Sequence, residues 1–203
     1  MKKAILLIII FFSLSALSTQ AKNDSLWSIW DDESASDATR AQALLDIAKY
    51  GYLYSQPDSA FYFAQLAYDF SKIMDLKKEM SAALSLQGGS YYVRGEVHKA
   101  LEYYERCIEI SREIDDKNGT ARTLNNMGVM YSNLGEFSKA MVYHMQSLQI
   151  REEIADTIGI ASVKNNIGLI FMNQGDYPRA LHNFQGSLKI KEAYGENRGV
   201  GQT

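Results

Sequence analysis

The stretch LNNMGVMYSNLGEFSKA, Leu124 to Ala140, is written again forty residues later as KNNIGLIFMNQGDYPRA, Lys164 to Ala180. The asparagine pair, two glycines and the closing alanine keep their places. At this period the chain aligns on itself without gaps in four blocks, residues 39–78, 79–118, 119–158 and 159–198. Ala60, Ala100, Ala140 and Ala180 share one column, Gly95, Gly135 and Gly175 a second, and Ala48, Gly88, Gly128 and Gly168 a third. A constant period of this size marks a solenoid or a propeller.

Spacing within the block decides between them. Leu124, Met127, Gly128, Tyr131 and Leu134 recur at helical intervals, and after Gly135 the series Phe137, Ala140, Met141, His144 and Leu148 resumes it, whereas a propeller blade would alternate at period two. Each block therefore reads as two antiparallel helices, A and B, with the turn at Gly95, Gly135 or Gly175, where a helix end calls for positive φ. Glu96, Glu136 and Asp176 then place an acid at the positive start of helix B. Ala100, Ala140 and Ala180 on helix B, and Gly88, Gly128 and Gly168 on helix A, mark the crossing of the two, where larger side chains would force them apart. The glycines accept about 1 kcal/mol of lost helix propensity for that approach.

These residues carry a resemblance. Leu124, Met127, Gly128, Tyr131, Ala140 and Leu148, with Tyr104 and Phe184 at a later aromatic position, resemble the tetratricopeptide repeat signature. The forty-residue unit is similar to the longer variety of that repeat, whose additional residues are expected at the end of helix B and in the following loop, as in QIREEIADTI, Gln149–Ile158. The resemblance implies an all-α fold, a right-handed α-solenoid of antiparallel helix pairs; HEAT-like repeats are the alternative, but they leave the glycine and alanine columns without a reason. Lys164 and His144 depart from the pattern's apolar and aromatic types, and the first block has Ala48 and Ser55 for its two glycines, so residues 39–78 are expected to be an atypical first repeat.

The composition is that of a soluble globular chain, 46% hydrophobic and 22% charged, and no block of like charge suits nucleic acid. Lys2 and Lys3 followed by the apolar run Ala4–Leu17 and the small-x-small site Thr19-Gln20-Ala21 read as a signal peptide, residues 1–21, cleaved after Ala21; an uncleaved anchor is the competing reading. The protein is therefore expected in the periplasm or secreted. Cys107 is the single cysteine, which excludes an intramolecular disulfide and reads as a small buried residue. Residues 22–38 carry Trp27 and Trp30 in an acidic setting and read as a cap over the open edge of the first repeat, received by aromatics among Phe61, Phe63, Tyr68 and Phe70. Gly199 aligns with Gly119 and Gly159, so residues 199–203 are read as the start of a fifth helix A, leaving Leu181, Leu188 and Ile190 uncovered and more of the protein to follow.

No enzymatic constellation is present: there is no phosphate loop, HExxH or nucleophile elbow, and His98, His144 and His182 fall on B helices of different repeats. Neither metal nor other cofactor is expected. The feature that packing does not require is the asparagines. The family resemblance implies that A helices line a concave groove, where Asn126 and Asn166 match the position from which related repeats bind a peptide main chain; an amide suits that task because it both donates and accepts. Asn133 and Asn173 lie two turns further along the same face, and Arg122, one turn before Asn126, is placed to hold a carboxylate. The competing reading has Asn125 and Asn165 tie adjacent A helices together. The expected function is thus non-catalytic binding of a protein or peptide segment. By resemblance the chain is the extracytoplasmic part of a bacterial signalling protein whose output, a nucleotide cyclase or sensor kinase, lies beyond it. The alternative is a purely structural array, joined to the membrane through a later segment or an uncleaved signal and self-associating through its open C-terminal end.

Overall fold

The computed structural model describes residues 24–200, with side chains up to residue 195. The signal peptide expected at residues 1–21 and the fifth-repeat start expected at 199–203 fall wholly or partly outside the described residues. The chain divides into two compact units, with the boundary inside one helix between Tyr103 and Tyr104. Its elements are a short helix α1 at 24–31, then α2 (Asp37–Asp46), which runs on as a π-helix (Ile47–Tyr52), α3 (Pro57–Ile73), α4 (Lys77–Val93), α5 (Val97–Glu113), α6 (Lys117–Asn133), α7 (Phe137–Glu153), α8 (Thr157–Asn173) and α9 (Tyr177–Val200).

The repeat length comes from a regular alternation. α4 to α8 are each 17 residues long, and the connections between them are equally short, Leu134–Glu136 within a repeat and Ile154–Asp156 between repeats. The additional length relative to the short repeat therefore resides in the helices and not in an extended loop. Helix B gains no long tail because the chain reverses at once.

Both reversals use one hydrogen-bond pattern. At the first, the Glu136 N–H donates to the Tyr131 carbonyl at 2.9 Å and the Gly135 N–H to that of Ser132 at 3.0 Å, a Schellman cap that needs a left-handed residue; Gly95, Gly135 and Gly175 supply it with φ of 80°, 76° and 78°. At the second, the Asp116 N–H reaches the Ser111 carbonyl at 2.7 Å and the Asp156 N–H that of Arg151 at 2.9 Å. Here Asp75, Asp115 and Ala155 hold φ near +54°, values of 54°, 53° and 54°. The next helix A is then capped from its own start, where Asp116 Oδ1 accepts the Gly119 N–H and Asp156 Oδ1 the Gly159 N–H, each at 2.9 Å. Gly119 and Gly159 leave the room those carboxylates fill, and Gly159 also admits the Arg151 guanidinium, which pairs with Asp156.

In the first unit α2, its π-helical extension and α4 pack on α3 and on one another. Ser55 replaces the turn glycine, and there the A helix ends in the wider π turn. Leu44, Leu45, Ala67 and Ala83 form a core against which Trp27 and Trp30 of α1 pack. Trp27 meets Phe63 edge-on at 5.5 Å and Trp30 meets Phe70 at 5.0 Å, while Phe61 turns the other way to Tyr91 at 5.2 Å. Arg40 secures the cap: its guanidinium lies 5.1 Å from the Trp30 ring and its Nε donates to the Trp30 carbonyl at 3.0 Å.

In the second unit α6 packs on α7, α8 on α9, and α8 also touches α7 and α6. Leu124, Met127, Met130, Val163 and Ile170 are buried, each side chain contributing about 1.5–3 kcal/mol. Ala140 and Ala180 are buried at the crossings. Opposite them, a Cβ on Gly128 would stand 2.7 Å from the His144 ring and one on Gly168 2.6 Å from the Phe184 ring. α9 continues helically through Gly195, the residue in register with Ala155, to Val200.

Candidate functional site

The A helices α6 and α8 of the second unit lie side by side, and the site is built on their shared face. On α6 the residues Arg122, Asn126, Val129 and Asn133 follow one another at helical intervals on the side away from the buried Leu124, Met127 and Met130. On α8 the same register brings up Asn166, Leu169 and Asn173. Arg122, Asn133 and Asn173 are exposed, and Asn126 and Asn166 are half-buried. Neither helix contains Asp or Glu, and their charges are Lys117, Arg122 and Lys164.

The five residues named from the sequence do not form one cluster. Asn166 Nδ2 donates to Asn125 Oδ1 at 3.0 Å, so this amide also ties α8 to α6, through Asn125 as the tying reading had it but with Asn166 rather than Asn165 as the partner. Asn126, Asn173 and Arg122 make no hydrogen bond among the described residues. Leu169, one turn from both Asn166 and Asn173, is 39% exposed, and Met172, flanking it on α8, is 42% exposed. These two were missed because apolar residues on a helix are first assigned to the core; their offset of two residues from the buried Ile167 and Ile170 was the available signal.

The Asn125 carbonyl has a second partner. His144 Nδ1 lies 3.0 Å from Asn125 Oδ1; the Nδ1–H tautomer donates to that oxygen and spares the ring an N–H buried without an acceptor at Nε2, which makes it the favoured form. His144 is fully buried, in the space Gly128 leaves open, and burial pushes its pKa down from 6.5 to about 4; the ring is neutral at pH 7. Its Nε2 is buried without a partner. His144, Asn125 and Asn166 thus form a chain from the interior of helix B to the open face of the A helices. Cys107, also buried, contacts Thr123 at 3.2 Å.

On the opposite, B-helix side, Ile108 and Glu109 of α5, Met127 and Tyr131 of α6 and Val142 and Tyr143 of α7 border a cleft of about 600 Å³. Tyr131 and Tyr143 stack within it at 5.2 Å and 4°. Lys139 lies over Tyr131 at 5.2 Å and is held by Glu136 at 2.5 Å, so its aromatic and cationic groups are largely satisfied by one another. Among the described residues no three His, Cys, Asp or Glu side chains gather into a metal-sized cluster, and no helix is long and apolar enough to cross a membrane.

Residues 79–153 and, separately, residues 160–197 match the tetratricopeptide repeat family, together more than half of the 203 residues. No curated protein matches the chain. Among solved structures it is similar to BtubC (BKLC) from P. vanneervenii, at 19% identity over 86% of this chain and 72% of that one, with a TM-score of 0.65. It is similar to a Rap protein complexed with Competence and Sporulation Factor at 18% identity and a TM-score of 0.71, over 80% of this chain but 45% of that one. To MamA the identity is 17% and the TM-score 0.55, over 88% and 89%. At such identities the likeness establishes the fold, an all-α solenoid of helix pairs. The family matches cover the second, third and fourth forty-residue blocks, the ones that carry both glycine columns: the chain belongs to the tetratricopeptide repeat family.

Proposed function

We propose that the chain is a non-catalytic protein-interaction module that holds an extended segment of a protein partner against the face of α6 and α8. One observation carries this: Asn126 and Asn173 have no partner among the described residues, and exposed Leu169 stands one turn from both Asn166 and Asn173, with exposed Met172 flanking it. Unpartnered amides beside apolar side chains suit a peptide, whose main chain needs donors and acceptors and whose side chains need apolar contact. Because α6 and α8 carry positive but no acidic side chains, the segment is neutral or acidic, with Arg122 available to a carboxylate. The test is affinity capture from the source cell's envelope fraction with the wild-type chain and with Asn126→Ala plus Leu169→Ala, which leaves the buried residues intact. Partners lost only from the variant support the reading; identical capture by both refutes it.

The interaction takes place outside the cytoplasm in this reading, as the extracytoplasmic portion of a larger signalling protein. Lys2, Lys3, the apolar run to Leu17 and Thr19-Gln20-Ala21 support export, and intact-mass measurement of the exported chain should find residues 1–21 missing. A second reading, a structural array that self-associates, is favoured by one feature: Tyr177, Leu181 and Leu188 of α9 are 69%, 57% and 55% exposed. Sedimentation of Leu181→Glu plus Leu188→Glu separates the two, since only self-association would be lost.

A further inference from the structure

The bond between Asn125 and Asn166 determines more than the spacing of α6 and α8. An isolated carboxamide can turn either end to a ligand, because its oxygen and nitrogen are nearly the same size. Asn125 cannot. With His144 protonated at Nδ1, its oxygen accepts two hydrogen bonds, from Asn166 Nδ2 and from His144 Nδ1, both at 3.0 Å, and reversing the amide would set its NH2 against the imidazole N–H. The Asn125 NH2 is therefore left for the open face. Asn166, with one N–H committed to Asn125, keeps its oxygen and a second N–H. Neither remaining edge has a partner among the described residues, and both side chains are half-buried.

We propose that Asn125 and Asn166 form one paired-amide element that takes the N–H and C=O of a single residue of an extended partner segment, and that His144 is the positioning residue that sets which edge donates. In an extended strand the N–H and C=O of one residue point to the same side. The ligand carbonyl then accepts from Asn125 Nδ2, and the ligand N–H donates to Asn166 Oδ1. His144 can reach Asn125 because Gly128 gives it room. The neighbouring repeats have Tyr104 and Phe184 in the same column, so among repeats with these asparagines only the third has a ring nitrogen to offer. The element is specific to α6–α8 and indifferent to ligand side chains at the residue it grips. This inference rests on the groove reading above.

Two measurements on the full chain decide it. Long-range proton–nitrogen NMR without ligand should show His144 as the Nδ1–H tautomer, with the Asn125 and Asn166 side-chain amide signals both displaced in His144→Phe; the Nε2–H tautomer overturns the inference. Peptides of 12 residues selected on the wild-type chain from a random displayed library are then remade with one backbone N–H at a time replaced by an ester oxygen. One position should lose about tenfold in affinity. That penalty should fall below about twofold in His144→Phe and return in His144→Gln, which keeps an N–H donor; an undiminished penalty in His144→Phe overturns the inference. Should His144→Phe not fold, Asn125→Asp serves, since it keeps the accepting oxygen and removes the presented donor: about tenfold weaker binding is expected, and unchanged binding overturns the inference. A library with no binder overturns the groove reading and the recognition with it, whereas the tautomer and ester results strike at the amide pair alone.

Discussion

Gly128 and His144 share one space: a Cβ on the glycine would stand 2.7 Å from the imidazole ring. Gly128→Ala should therefore destabilise the protein by about 1–3 kcal/mol through overpacking, although alanine is the better helix former by about 1 kcal/mol. The first repeat shows the alternative solution, with Ala48 and Ala64 in the same two columns and both fully buried. Adding His144→Ala to Gly128→Ala should accordingly cost less than the two single changes added together. Urea denaturation of the four proteins measures this, and additive losses would contradict the pairing.

The buried imidazole makes stability depend on pH. Unfolded, His144 takes up a proton near pH 6.5; folded, burial holds it neutral down to about pH 4. Between those values the unfolded state binds more protons, so stability is fully present above pH 6.5 and falls as pH drops towards 4, by roughly 3 kcal/mol for the whole window. His144→Phe should remove that slope. Denaturant midpoints at pH 7 and pH 4.5 in both proteins test it, and equal losses in the two would place the pH dependence elsewhere.

Ala155 holds a φ of 54°, where an L side chain pays roughly 1–2 kcal/mol that glycine does not. Ala155→Gly should raise stability by about 0.5–1 kcal/mol after the added freedom of the unfolded chain is counted. A fall in the thermal midpoint would show that the turn between repeats is held by something other than its backbone pattern.

Arg40 joins α2 to the tryptophan cap through the Trp30 carbonyl and ring. Arg40→Ala should cost about 1–2 kcal/mol and open Trp30 to solvent. Acrylamide quenching of tryptophan fluorescence should increase, with little change in helix content by circular dichroism. Unchanged quenching would mean that the contacts to Phe63 and Phe70 hold α1 unaided.

The helix pairs, their forty-residue period, the glycine turns and the close crossings follow from one-dimensional information, because each depends on residues within one repeat and is stated several times over by repetition. The second reversal was hidden: Asp75, Asp115 and Ala155 share no residue type that announces positive φ, and only the pattern of carbonyls left open by the preceding helix selects it. The length of the repeat was legible, but its placement in helix and not loop was not, since helix ends are decided by which hydrogen bonds close.

The asparagines mark the same division. That they are amides on the outer side of A helices was written in their spacing from Leu124 and Gly128, and periodicity alone suffices for that. Which amide stays free and which is bound was decided only when α6, α7 and α8 came together. Asn125, His144 and Asn166 lie 19 and 41 residues apart along the chain, and a hydrogen bond is directional and short, so no count of intervals could orient it before the packing of three helices set the atoms within 3.0 Å.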